Sequence, residues 1–148
     1  MIYMVREAFK EDLHELLSLY LFLHEDSIPH KSVHLDNTWK TIIEDENHHI
    51  IVNEVNGEIV SSCVCVIIPN LTRNVRPYAF IENVVTSEKH RGKGYARECL
   101  DYARHIAIEN NCYKMMLLTG TKEEKTLAFY KNAGYNSEDK KAFIQWLK

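Results

Sequence analysis

The sequence predicts a mixed α/β domain with a central sheet flanked by helices, and three observations predict it. The apolar spacing changes along the chain from a helical period at Leu13, Leu16, Leu17, Tyr20 and Leu21 to β-rich runs between His49 and Ile68. Asn56-Gly57 joins two of those runs, and this dipeptide is a strong hairpin signal because a type I′ turn needs two residues tolerant of positive φ. Finally, the continuous apolar run from Tyr113 to Leu118 has the pattern of a central strand covered on both faces, set between two helical stretches.

The elements run in order along the chain. Ile2 to Arg6 reads as a short first strand, and Lys10 to Leu23 as an amphipathic helix. Pro29 breaks any continuation of that helix, so His24 to His34 is expected to be a polar loop. A second helix covers Asp36 to Glu44, with Asp36 as its cap. Ile50-Ile51-Val52 and Ile59 to Ile67 form the hairpin, Pro69 to Pro77 a connection, and Tyr78 to Thr86 a further strand. Gly92 to Asn110 is a long helix with Tyr95, Ala96, Cys99, Leu100, Ala103, Ile106 and Ala107 on one side. Thr121 and Glu124 fit a capping box for a helix that runs to about Ala133 and stops at Gly134. Ala142 to Leu147 is expected to close the sheet as a last strand.

A chain of 148 residues fits one domain, residues 1–148, and 45% hydrophobic content is enough to build a core. The net charge of −3 argues against a nucleic-acid coat or a membrane-surface protein, both of which usually carry a basic excess. No apolar stretch is long enough to span a bilayer, and the start of the chain lacks the features of a signal peptide. Cys63, Cys65, Cys99 and Cys112 form no C-x-x-C pair, so they are expected to be reduced thiols in a cytoplasmic protein.

The chemistry concentrates between Ile81 and Ala96. Ile81-Glu82-Asn83-Val84-Val85-Thr86 is a strand, and after a short polar connection Arg91-Gly92-Lys93-Gly94-Tyr95-Ala96 opens the long helix. The first amides of a helix have no intrahelical partner and the macrodipole is positive there, so such a turn binds phosphate. The glycines and the small Ala96 allow close approach, while Arg91 and Lys93 add charge. The Walker pattern fails because Gly94 follows Lys93, and the Rossmann pattern fails because Arg97 stands where its third glycine belongs.

The pattern that does match is R-x-x-G-x-A after a Val-Val strand, which resembles the pyrophosphate-binding motif of the GNAT superfamily of N-acetyltransferases. The likeness continues through Leu127-Ala128-Phe129-Tyr130-Lys131-Asn132-Ala133-Gly134-Tyr135. It implies a mostly antiparallel mixed sheet, splayed between the strands at Ile81–Thr86 and Tyr113–Thr119 to admit acetyl-CoA. It also implies direct acetyl transfer to a primary amine of a small molecule, with no metal. Val84 and Val85 are then expected to pair their backbone with the pantetheine arm, the Val84 amide to donate to the thioester oxygen, and Arg91 through Ala96 to cradle the pyrophosphate. Tyr130 is expected beside the thioester sulfur as the acid, and Glu82 as the base, directly or through a water. The plainer readings are a solvated or ion-paired Glu82 and a core Tyr130.

One position departs from the family pattern, since Glu123 stands where many relatives place an Asn that helps hold the coenzyme. Thr119 and Thr121 are the candidates to compensate. The polar loop with His24, Glu25, Asp26, His30 and His34 is expected to line the acceptor pocket, its spacings being too irregular for a metal site. Ile81 to Val85, Cys112-Tyr113-Lys114 and Phe129-Tyr130-Lys131 are also similar to glucosamine-6-phosphate N-acetyltransferases, which makes an amino sugar one candidate acceptor. Acetylation of a protein lysine or N-terminus, and a coenzyme A-binding sensor without turnover, are the competing readings. Dimers are common in the family, so a homodimer is compatible with the resemblance.

Overall fold

A computed structural model describes residues 3–148; Met1 and Ile2, where the first predicted strand begins, lie outside the described residues. Five strands form one sheet in the order β1-β2-β3-β4-β5: β1 (Tyr3–Glu7), β2 (His48–Val55), β3 (Glu58–Ile68), β4 (Tyr78–Thr86) and β5 (Met115–Leu117). The first four pair antiparallel, and β4 pairs with β5 parallel. Between β1 and β2 lie α1 (Leu13–Tyr20), bracketed by single 3-10 turns, and α2 (Val33–Glu44). A one-turn α3 (Thr72–Val75) leads into β4, α4 (Tyr95–Glu109) crosses from β4 to β5, and α5 (Glu124–Asn132) follows β5.

Alternation along the strands sends side chains to two separate cores. On one face, Leu16 and Leu19 of α1 and Trp39 of α2 pack on Ile50, Val52, Ile59, Val64 and Val85. On the other face, Cys99, Leu100, Ala103, Ile106 and Ala107 of α4 cover Ile51, Cys63, Cys65, Ile67, Ala79 and Ile81. Neighbouring residues such as Ile51 and Val52, or Val64 and Cys65, therefore belong to different layers. The hairpin turn is as expected, with φ of 51° at Asn56 and 83° at Gly57.

Several expected boundaries shift, each for a local reason. The second helix begins at Val33, because Ser32 and not Asp36 is its cap: the Ser32 hydroxyl accepts the Leu35 amide at 3.0 Å. The long helix begins at Tyr95, since Gly92 and Gly94 both have positive φ. The capping box at Thr121 does not form. Thr121 Oγ1 accepts the Glu123 amide at 3.2 Å in a tight turn, and the helix starts at Glu124 with Glu123 as its cap residue, two positions beyond the expected cap.

The expected central strand at Tyr113–Leu118 is only Met115–Leu117 and lies at the edge of the sheet. The expected last strand at Ala142–Leu147 is irregular, with Phe143, Ile144, Trp146 and Leu147 all exposed. All four cysteines are free; Cys63, Cys65 and Cys99 are buried and Cys112 is partly so. Among the described residues, no helix is long and apolar enough to cross a membrane.

An ion pair fixes how the first strand meets the first helix. The Arg6 guanidinium bonds Asp12 at 2.7 Å and Glu54 at 3.0 Å, and it lies 4.2 Å from the centre of the Phe9 ring. The Phe9 amide also donates to Asp12, at 2.6 Å. Burial alone raises the Asp12 carboxyl, but the bonds from Arg6 and the Phe9 amide prevail and hold it below the usual carboxylate range. A carboxyl with a lowered folded-state pKa contributes stability above its unfolded value, and that contribution fades as pH falls through the folded one. Asp12→Ala is therefore expected to cost about 2–3 kcal/mol in urea unfolding at neutral pH. The gap between variant and parent should narrow as the pH is lowered below about 4, and a gap independent of pH would contradict the pairing.

Candidate active-site cleft

The site arises from a defect in β4. Ser62 stands opposite Val85 and Val64 opposite Glu82, so two residues, Asn83 and Val84, face the single residue Cys63. This is a β-bulge, and Asn83 takes the left-handed conformation it needs, with φ of 51°. Ser61 secures the far side, its hydroxyl donating to the Val85 carbonyl at 2.9 Å and lying 2.8 Å from Thr86 Oγ1. On its other edge, β4 pairs with β5 only from Ala79–Met115 to Ile81–Leu117. Beyond Ile81 the two strands part.

A cleft of about 740 Å³ opens where they separate. Leu17, Tyr20 and Leu23 form one wall, and His24, Glu25, Ser27 and Pro29 of the following loop extend it. Ile81, Glu82, Asn83 and Val84 form the floor along β4, while Leu117 to Thr121 and Tyr130 form the opposite side. The cleft thus brings together Glu82, Val84 and Tyr130 among the residues singled out from the sequence. Of the loop histidines, His24 lines it and His30 and His34 do not. Thr119 and Thr121 both line it, whereas Glu123 does not.

Val85 turns the other way, its side chain buried with Leu16, Leu19 and Trp39. Val85 is not among the residues that line the cleft. The Arg91–Ala96 turn lies outside the cleft lining, where β4 passes into α4. Arg91, Gly92, Lys93 and Gly94 are exposed and Ala96 is partly buried. Arg91 Nε donates to the Thr86 carbonyl at 3.3 Å, and its guanidinium lies 5.9 Å from the Phe22 ring centre. The Tyr95 side chain is buried with Val55 and Val60. The helix start is pinned from β2, where buried Asn53 donates through Nδ2 to the Tyr95 carbonyl at 3.3 Å and to Glu98 Oε2 at 3.1 Å.

This turn suits a diphosphate. The φ values of Gly92 and Gly94 are 76° and 86°, and a Cβ at either position would meet open space. The side of the turn is therefore accessible, and the glycines are required by backbone geometry. Gly94 provides no side-chain cap. Among the described residues, the Ala96 and Arg97 amides have no acceptor, as expected for a first turn open to an anion.

Burial sets the chemistry of the tyrosines. Tyr130 is half-buried, its ring edge-on to Tyr135 at 6.3 Å and to Phe129 at 5.1 Å. Burial, with a smaller contribution from Cys63, pushes its phenol above the ordinary value, so it keeps its proton at neutral pH. Tyr20 was not singled out from the sequence, where it reads as part of the apolar helix stripe. It lines the cleft with its phenol pushed up by burial to about 12. Among the described residues, no group of three or more His, Cys, Asp or Glu could hold a metal ion.

Comparison with known proteins bears on this geometry. Residues 10–135 match the family model described as "Acetyltransferase (GNAT) family". Glucosamine 6-phosphate N-acetyltransferase of Trypanosoma brucei brucei is 30% identical over 91 residues, 62% of this chain and 60% of that protein's length. A solved chain from Agrobacterium tumefaciens str. C58, whose name proposes an acetyltransferase, is 38% identical with a TM-score of 0.90, covering 97% of this chain and 99% of its own. The fold is also that of glucosamine-6-phosphate N-acetyltransferase from Arabidopsis thaliana, at 22% identity and a TM-score of 0.80, with 100% and 98% of the two chains covered.

The bulge makes a conformational demand that a stability measurement can read. A left-handed backbone costs a residue with a Cβ roughly 1–2 kcal/mol, which Asn partly escapes and a β-branched residue does not. Asn83→Val is expected to lower stability by about that amount in urea unfolding, while Asn83→Gly stays close to the parent. Equal midpoints for the two variants would contradict the left-handed bulge.

Proposed function

Since this chain belongs to the acetyltransferase (GNAT) family, we propose that it transfers the acetyl group of acetyl-CoA directly to a primary amine of a small molecule. The observation that carries this reading is the cleft itself. An interrupted strand, a protonated tyrosine and a carboxylate line one cavity, beside a glycine turn suited to a diphosphate. Acetyl-CoA supplies the activated acyl group as a thioester.

The chain's own residues divide the remaining work. Arg91 to Ala96 hold the pyrophosphate through backbone amides and the positive charges of Arg91 and Lys93. Val84 and Val85 offer backbone groups to the pantetheine arm, because the bulge takes Asn83 and Val84 out of register with β3 and β5 ends at Leu117. The Val84 amide is the donor for negative charge developing on the carbonyl oxygen, a kind of contribution worth about 3–4 kcal/mol in other enzymes. Glu82 removes the proton from the incoming ammonium, directly or through a water, so that a neutral amine attacks. Tyr130 gives its proton to the departing thiolate. No covalent enzyme intermediate is needed when both substrates share one cleft.

The walls also bear on the acceptor. Glu25 and Glu82 line the cleft, and neither Lys nor Arg is among its lining residues. This supports an acceptor that arrives as an ammonium cation. An amino sugar is the first candidate, since the trypanosomal relative is named for glucosamine 6-phosphate. The polar loop at His24 and Glu25 is then the part of the site that selects among amines.

Three measurements test the reading. Acetyl-CoA and free CoA should each raise the thermal midpoint, with about 2.7 kcal/mol of stabilisation at a hundredfold excess over Kd, and NAD should not. No response to either CoA species would overturn the cofactor assignment. Arg91→Glu should weaken CoA binding by about tenfold or more at fixed salt, and unchanged affinity would remove the turn from the site. In a turnover assay with a panel of amines including glucosamine and its 6-phosphate, Tyr130→Phe should reduce kcat about a hundredfold with little change in CoA affinity. Equal rates would exclude Tyr130 as the acid, and CoA binding without turnover of any amine or peptide would favour a sensor.

A further inference from the structure

Asparagine is depleted from strands, yet Asn53 sits fully buried in β2, between Val52 and Glu54. Its Nδ2 donates to the Tyr95 carbonyl at 3.3 Å and to Glu98 Oε2 at 3.1 Å. Its Oδ1 is buried and, among the described residues, has no hydrogen-bond partner. A buried polar atom left unpaired weakens a fold, and a leucine of similar size would remove that penalty. The Tyr95 carbonyl does not need the bond, because the carbonyl of a helical residue already accepts the amide four residues on. What remains for the Asn53 amide to do is to hold Glu98.

Glu98 brings a carboxylate into the first turn of α4, the same turn whose Ala96 and Arg97 amides have no acceptor. It is half-buried, and among the described residues it pairs with no Lys, Arg or His and with no side chain other than Asn53. A glutamate this close to a helix start has another partner within reach. In a capping box it bends back to the amide three residues before it, and Gly94 supplies no side-chain cap of its own. A carboxylate in that position would take up donors that otherwise face an anion. It would also repel the anion directly.

We propose that Asn53 is a positioning residue for the diphosphate turn: by tying Glu98 to β2, it keeps a competing carboxylate out of the first turn of α4. The identity of the anion rests on the acetyl-CoA reading, whereas the tether itself does not. Asn53 stands opposite Ser61 on β3, and Ser61 opposite Thr86 on β4, so three polar residues form one row across the sheet. Ser61 Oγ lies 2.8 Å from Thr86 Oγ1, and the Thr86 carbonyl accepts Arg91 Nε at 3.3 Å. One end of the row steadies a cation at the turn, and the other draws a carboxylate away from it. Both ends favour a negatively charged ligand.

The test is CoA affinity by isothermal titration at fixed salt, in the full chain and its variants. Asn53→Leu keeps the volume and loses the donor, and it should bind CoA about tenfold more weakly. Adding Glu98→Gln to it should bring the affinity back to within about threefold of the parent, a rescue that a purely structural role for Asn53 would not show. Glu98→Gln alone should stay within about threefold of the parent, because the carboxylate is already held away. A loss that Glu98→Gln does not relieve would overturn the inference and leave the coenzyme assignment standing. So would an Asn53→Leu variant that binds like the parent, or a gain of about tenfold from Glu98→Gln alone. That last measurement needs no change at Asn53 and holds whether or not Asn53→Leu folds. A parent that binds no CoA would overturn both readings.

Discussion

β4 is held by neighbours on both sides only as far as Ile81, and the geometry of the cleft depends on how it is held after that. On the β3 side, Ser61 reaches the Val85 carbonyl and Ser62 the Ile51 carbonyl, so the two buried hydroxyls secure β3 against both of its neighbours just before the register slips. On the β5 side, pairing has already stopped at Leu117. The bulge at Asn83 and Val84 therefore falls where β4 has lost one partner and is out of step with the other. An ordinary strand at this position would present alternating side chains and a satisfied backbone. This one brings the consecutive residues Glu82, Asn83 and Val84 together in the lining of the cavity.

The rest of the architecture holds that defect open. α1 is fixed against β1 by the Arg6–Asp12–Glu54 cluster, and its last turn supplies Leu17 and Tyr20 to the wall of the cleft. α4 is fixed against β2 by Asn53, which grips the first turn of that helix through its buried amide. The glycine turn before α4 is thereby held at one end of β4 while Tyr130 closes the other side. The apolar cores on the two faces of the sheet set the spacing between these parts. Burying an aliphatic side chain fully is worth about 1.5–3 kcal/mol, and each core contains several.

Much of this was legible in the sequence, and the rest was hidden for identifiable reasons. Periodicity located both cores and the ends of β4, and Asn56-Gly57 located the hairpin, because those signals are local. The glycine turn was legible from residue type alone, since positive φ at two nearby positions requires it. Tyr20 was not, because a tyrosine at the end of an apolar helix stripe looks the same whether it meets core or cavity. The bulge was not legible either, although Asn83 is one of the few residue types that enters a left-handed conformation readily. The caps at Ser32 and Thr121 were misplaced because several Ser, Thr and Asp residues stand near each helix start, and only the three-dimensional path decides which hydroxyl accepts which amide.

The two failures at the end of the sheet have a common physical origin. Apolar residues on both faces of a short segment report that the segment will be covered, and they say nothing about which chain covers it. Met115 to Leu118 and Ala142 to Leu147 both carry that composition, and within the single chain one becomes an edge and the other lies uncovered. Phe143 and Trp146 are both exposed, flanked in sequence by the charged residues Glu138, Asp139, Lys140, Lys141 and Lys148. The composition that located a strand at Tyr78–Thr86 therefore failed at Ala142–Leu147, because an apolar run becomes a strand only where a neighbouring strand offers it backbone partners.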